Sequence, residues 1–201
     1  MKIFLKIVSY IFHPLFIPVI GTLLYFAITP KYSPIEMQGA TILPVFILTI
    51  IIPIISFFIL RNLGVIHTVF LSDINERKYP LYINFALLLM ILLKVLPNNY
   101  ISEVYFYFAG LTIATLTTLL LLFLKFKSSI HLMGIGSVWM YLIALSFHFE
   151  VNIIIAISTT TLIAGLVASS RLYSKAHSKI EIITGLLIGI TSQLLTLKFW
   201  L

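Results

Sequence analysis

The sequence predicts an all-α fold: a polytopic integral membrane bundle of six or seven transmembrane helices. Three observations carry that reading. Of 201 residues, 61% are hydrophobic, and the mean hydropathy is +1.14. Only 19 residues carry formal charge, 13 basic and 6 acidic, or 9%, against about 25% in an ordinary soluble domain. Apolar runs close to the roughly 20 residues needed to cross a bilayer alternate with short polar breaks along the chain. This composition excludes a soluble domain and a disordered chain. The spans must be helices, because a lone strand leaves its backbone polar groups unsatisfied in lipid. The chain 1–201 reads as a single membrane domain, with its motifs between about 70 and 198. With zero cysteines, disulfide and thiolate chemistry are excluded. The net charge of +7 suits cytoplasmic loops, anionic headgroups or a phosphate site rather than nucleic acid.

The spans fall at roughly 5–29, 40–61, 80–96, 103–124, 131–148, 151–169 and 179–198. Lys2 and Lys6 ahead of the first apolar run imitate a signal peptide, but the run is long and no small-residue cleavage site follows it, so a retained helix is expected. Pro14 and Pro18 predict a kink or a partly re-entrant turn there. The third span is short and ends near Pro97, and Phe147–Glu150 reads as a tight turn.

Three breaks are charged: 71–80, 125–131 and 170–181. Two spans separate Arg77 from His131, and two more separate His131 from His177. An even number of crossings returns the chain to the same side, so all three breaks are expected at one membrane face. That face would carry ten cations against three, Lys31, Lys94 and Lys198, on the other. The excess favours a cytoplasmic motif face, but a phosphate site needs cations wherever it lies, so the count alone does not assign the side.

The densest cluster is Ser170-Arg171-x5-His177-x3-Glu181. At a spacing of four, His177 and Glu181 share a face if helical. The carboxylate can then fix the imidazole tautomer and leave the other nitrogen as base or nucleophile. Arg171 and Arg77 offer planar forks for phosphate oxygens, with Lys78, Lys127 and Ser129 nearby in sequence. His131 supplies a second imidazole. Two histidines and these cations suit a phosphate ester: one histidine attacks phosphorus, the other protonates the leaving oxygen, and the cations neutralise the nonbridging oxygens.

Ser170-Arg171-x5-His177-x3-Glu181 resembles the third signature, Ser-Arg-x5-His-x3-Asp, of the type 2 phosphatidic acid phosphatase superfamily, which includes bacterial nonspecific acid phosphatases and vanadium haloperoxidases. The middle signature, Pro-Ser-Gly-His, falls on Ser128-Ser129-Ile130-His131, and the first, Lys-x6-Arg-Pro, falls near Arg77. The resemblance implies a phosphohistidine on His177, orientation by Glu181 and general-acid catalysis by His131. Arg171, Arg77, Lys78, Lys127, Ser129 and Ser170 would bind the substrate phosphate. It implies a metal-independent hydrolase with no cofactor, acting on a lipid phosphate monoester or diphosphate in a bacterial inner membrane. A noncatalytic relative that binds or moves a phosphorylated lipid is the alternative.

The chain departs from the pattern in places. Phe70 stands where the first lysine is expected, and Lys78 and Tyr79 separate Arg77 from Pro80. Ser128 and Ile130 replace proline and glycine, and Glu181 replaces aspartate. A metal set of His131, His177, Glu181 and Asp73 is conceivable, but no two-histidine helical motif supports it. His13, His67 and His148 read as structural, and Gly134 and Gly136 as helix-packing residues.

Overall fold

The computed structural model describes residues 2–67, 74–96 and 101–201, so Phe70 and Asp73 lie outside the described residues. Among the described residues the chain is an all-helical bundle with no strand and with seven helices long and apolar enough to cross a membrane. It is a multi-pass integral membrane protein.

The first span is broken where its prolines require. Helix α1 (Lys2–Ile11) ends ahead of a 3-10 turn (Pro14–Phe16), and α2 (Ile17–Ile28) follows. Pro14 has no N–H, and its ring excludes the helical carbonyl four residues back. The Tyr107 hydroxyl donates to the Ile17 carbonyl at 2.8 Å, which anchors the break against the bundle. The second span is α3 (Ile35–Phe46), a π turn (Ile47–Ile51) and α4 (Ile52–Asn62). The wider turn immediately precedes Pro53, whose missing N–H an ordinary helix would need. The third span, α5 (Ile74–Met90), ends in a π turn (Ile91–Val95). Helix α5 therefore begins ahead of the expected residue 80, and Arg77 is helical. Helices α6 (Ser102–Phe123), α7 (Ile130–Phe149), α8 (Ile154–Tyr173) and α9 (Lys179–Leu197) complete the bundle.

Helices α7 and α9 pack backbone to backbone. A Cβ on Gly189 would lie 2.1 Å from the Met133 carbonyl oxygen, and one on Gly185 would lie 2.3 Å from that of Ser129. Only glycine fits there. The Ser129 N–H also donates to the Glu181 carbonyl at 3.0 Å, so the start of α7 is tied to the start of α9. Gly134 and Gly136 are packing residues too, against Ile17 and against Leu186.

At the opposite end, the buried Glu103 carboxylate accepts from Lys31, from the Tyr25 hydroxyl at 3.3 Å and from His148 Nε2 at 3.2 Å. These residues lie at the ends of three different spans, as the alternation of crossings requires.

Candidate functional site

Arg77, His131 and His177, expected at one face from the even number of crossings, line one cavity of about 1070 Å³ together with Lys127, Arg171 and His13. His177 does not reach Glu181 along a helix face, as the spacing suggested. It lies in the turn before α9, and Glu181 folds back to it through a capping box. Ser178 caps α9. Its hydroxyl accepts from the Glu181 N–H at 3.3 Å, while Glu181 Oε2 accepts from the Ser178 N–H at 3.1 Å. The same oxygen accepts from His177 Nδ1–H at 2.8 Å. A capping box favours Glu or Gln at this position because the longer side chain reaches back, which accounts physically for glutamate here. The signature Ser178-x-x-Glu181 was readable in the sequence.

With Nδ1 donating, His177 Nε2 carries the lone pair. It faces Arg77 Nη2 at 3.5 Å. The His177 side chain is 1% exposed. Burial, together with the charges of Arg77 and Arg171, pushes its pKa down to about 4 against the pull of Glu181. At neutral pH His177 is therefore a neutral imidazole with an available lone pair.

Arg77, on the first turn of α5, also directs Nη1 toward the Ser128 carbonyl at 3.5 Å. Arg171 sits in the last turn of α8, where the helix dipole favours a cation. Each arginine is 6% exposed. Burial pushes the Lys127 ammonium pKa down, and Arg77 and Arg171 add to the effect. Burying several cations within mutual reach is costly unless an anion joins them. Three buried polar atoms, Nε of the cavity-lining Arg171 and Oγ of Ser128 and Ser129, have no partner among the described residues; neither serine lines the cavity, though Lys127 and Ile130 on either side of them do. The serines lie at the N-terminus of α7, whose first N–H groups and dipole also favour an anion. Ile130, where glycine was expected, begins α7 without a positive φ, so the chain reaches this arrangement without glycine's conformational freedom.

Not every expected residue faces the ligand space. The Lys78 ammonium lies over the Phe123 ring, 5.8 Å from its centroid, and Lys78 does not line the cavity. Ser170 lines it, but its hydroxyl donates to the Leu5 carbonyl at 2.6 Å and accepts from Ser9 at 2.6 Å, joining α8 to α1. His131 Nε2 faces the Ser9 carbonyl at 3.3 Å. A carbonyl only accepts, so Nε2 carries the hydrogen.

His67, read as structural, pairs with Glu76 at 2.8 Å. His13, also read as structural, stands in the cavity, its ring edge-to-face with that of His131 at 5.4 Å. Its signal in the sequence was the His-Pro pair that interrupts a span entering from the motif face. Among the described residues no three metal-binding side chains cluster.

Away from this charged end the cavity turns apolar, with Ile17, Phe57, Leu81, Leu88, Leu111 and Met133 among its walls. Arg77 and Leu88 both line it, and along α5 they lie about 16 Å apart at 1.5 Å per residue. The cavity thus reaches about halfway through a hydrocarbon core of about 30 Å. Comparison with models of protein families, with curated proteins and with solved structures finds no significant match for this chain.

Proposed function

We propose that this protein is an integral membrane phosphatase of a bacterial inner membrane, hydrolysing a lipid phosphate monoester or diphosphate through a phosphohistidine. The observation that carries the reading is a single cavity with a neutral, oriented histidine and two buried arginines at one end and apolar walls at the other. A phosphorylated headgroup matches the charged end, and a hydrocarbon chain matches the walls.

The chemistry follows from the hydrogen bonds. Phosphate oxygens compete for the Arg77 guanidinium protons and draw them from His177 Nε2. The freed lone pair attacks phosphorus as the bond to the leaving oxygen breaks. Arg77, Arg171 and the α7 N-terminus hold the nonbridging oxygens. His131 takes up a second proton on Nδ1 as the anionic phosphoryl group enters the site, the Ser9 carbonyl retaining Nε2–H, and donates that proton to the leaving oxygen. Water then attacks the phosphohistidine, His131 takes the proton, the P–N bond breaks, and inorganic phosphate leaves.

The test is phosphate release by purified protein in detergent from a panel of long-chain lipid phosphates, with glycerol phosphate as the chainless control. Release from the lipids, little from glycerol phosphate, and loss on His177→Ala are expected. Full activity in His177→Ala overturns the proposal. Lipid binding without release across the panel supports the noncatalytic alternative, in which the same cavity holds a phosphorylated lipid unchanged.

A further inference from the structure

His13 lies in none of the three motif segments, yet it is built into the site. The residue is extended, φ −68° and ψ 141°, and it caps the 3-10 turn that Pro14 begins. Its Nδ1 accepts from the Leu15 N–H at 3.3 Å, so the hydrogen of the neutral ring is on Nε2. Base chemistry would need a lone pair at the free nitrogen, and acid chemistry would need a proton on the nitrogen that caps the turn. His13 is instead a neutral donor of fixed tautomer, and among the described residues no acceptor meets its Nε2–H.

Its place in the site is specific. The ring stands at 79° to that of His131, which the phosphatase reading makes the proton donor on the leaving-group side. Arg171 lines the same cavity as His13 and His131, and its Nε is a buried donor without a partner among the described residues. Two donors, one of them cationic, therefore stand in the cavity with His131.

We propose that His13 is a ligand-contacting, specificity-determining residue. Its Nε2–H and the Arg171 guanidinium hold an anionic oxygen beyond the attacked phosphorus, so the site favours lipids bearing a further phosphoryl group over monophosphates. The term leaving-group side rests on the phosphatase reading; the contact itself does not.

The test is binding, by calorimetric titration of the full-length protein in detergent. The probes are dodecyl methylenediphosphonate and dodecylphosphonate, whose P–C bonds resist hydrolysis. The wild type is expected to bind the diphosphonate about tenfold or more tighter, the scale of a hydrogen bond to a charged group. His13→Asn keeps an oxygen to cap Leu15, while its shorter amide N–H stops short of the position of the imidazole Nε2–H. His13→Phe keeps the ring against His131 without any donor. In both variants the diphosphonate should weaken about tenfold, with the phosphonate changed less than about twofold. An unchanged preference, an equal loss for both probes, or no preference in the wild type overturns the assignment. Phosphate release from a lipid diphosphate is measured in parallel. A His13-dependent preference without release contradicts the phosphatase reading alone, and release without that preference contradicts the role of His13 alone.

Discussion

What holds each ring distinguishes His177 from His131. Glu181 accepts from Nδ1 of His177 and leaves its Nε2 toward Arg77, whereas the Ser9 carbonyl occupies Nε2 of His131. Burial and the two arginines put the His177 pKa near 4, below the ordinary value of about 6.5. A depressed folded-state pKa means that the unfolded chain takes up the proton first as pH falls. The stability linked to this group is therefore full above about pH 6.5 and is lost as pH falls toward about 4. The same shift sets an expectation for kcat/KM, which reports the free enzyme. His177 alone should impose an acid limb near pH 4, not near 6.5. In the complex an anionic phosphoryl group favours the imidazolium, so the corresponding limb in kcat should lie higher. Rate profiles between pH 3.5 and 8 check both. For His131, the Asn variant should lower kcat by about 10²- to 10⁴-fold on an alkyl phosphate, the range of general acid–base catalysis. It should cost far less on an aryl phosphate whose leaving oxygen needs no proton. An equal loss on both substrates would remove His131 from the role of acid.

At the scale of elements, the site depends on how closely α7 approaches α9. Ser129 and His131 begin one helix, Ser178 and Glu181 begin the other, and Gly185 lets them meet. In Gly185→Ala the added Cβ meets the Ser129 carbonyl oxygen at 2.3 Å, a backbone atom that no rotamer change can move aside. The expected cost is about 1–3 kcal/mol, the scale of core overpacking, together with a fall in kcat as His131 moves relative to His177. Thermal unfolding in detergent and phosphate release measure the two effects. A variant unchanged in both would show that the close contact does not position the histidines. Helix ends also mark where sequence reasoning stopped. Period and hydropathy located the helices, but Arg77, Ser170 and Arg171 proved helical rather than loop residues, because helices continue past the apolar run into the interface. The His177–Glu181 pairing was readable from the spacing, but its geometry was not, since a spacing of four does not distinguish a helix face from a capping box.

For the whole molecule, counting crossings was enough to bring four cavity residues, Arg77, His131, Arg171 and His177, to one face before any contact was known. The Glu103–Lys31–His148 cluster, joining the ends of three spans, is the complementary result at the other face. Side-chain direction was not legible. Lys78 turns to Phe123, and Ser170 turns to α1. His13 turns inward only because the proline break sets its backbone and caps its Nδ1. Nor did composition distinguish the apolar walls of the cavity from lipid-facing surface, since both are built from the same residues.

In the proposed function, the charged end of this cavity performs nucleophilic catalysis at phosphorus through His177. The direct measurement is to quench the protein during turnover of a ³²P-labelled long-chain lipid phosphate and map the bound label. An acid-labile, alkali-stable label is expected on the peptide containing His177, absent from His177→Ala and increased in His131→Asn, where loss of the general base slows breakdown of the intermediate. Phosphate release from the wild type with no covalent label, or a label that persists in His177→Ala, would contradict it.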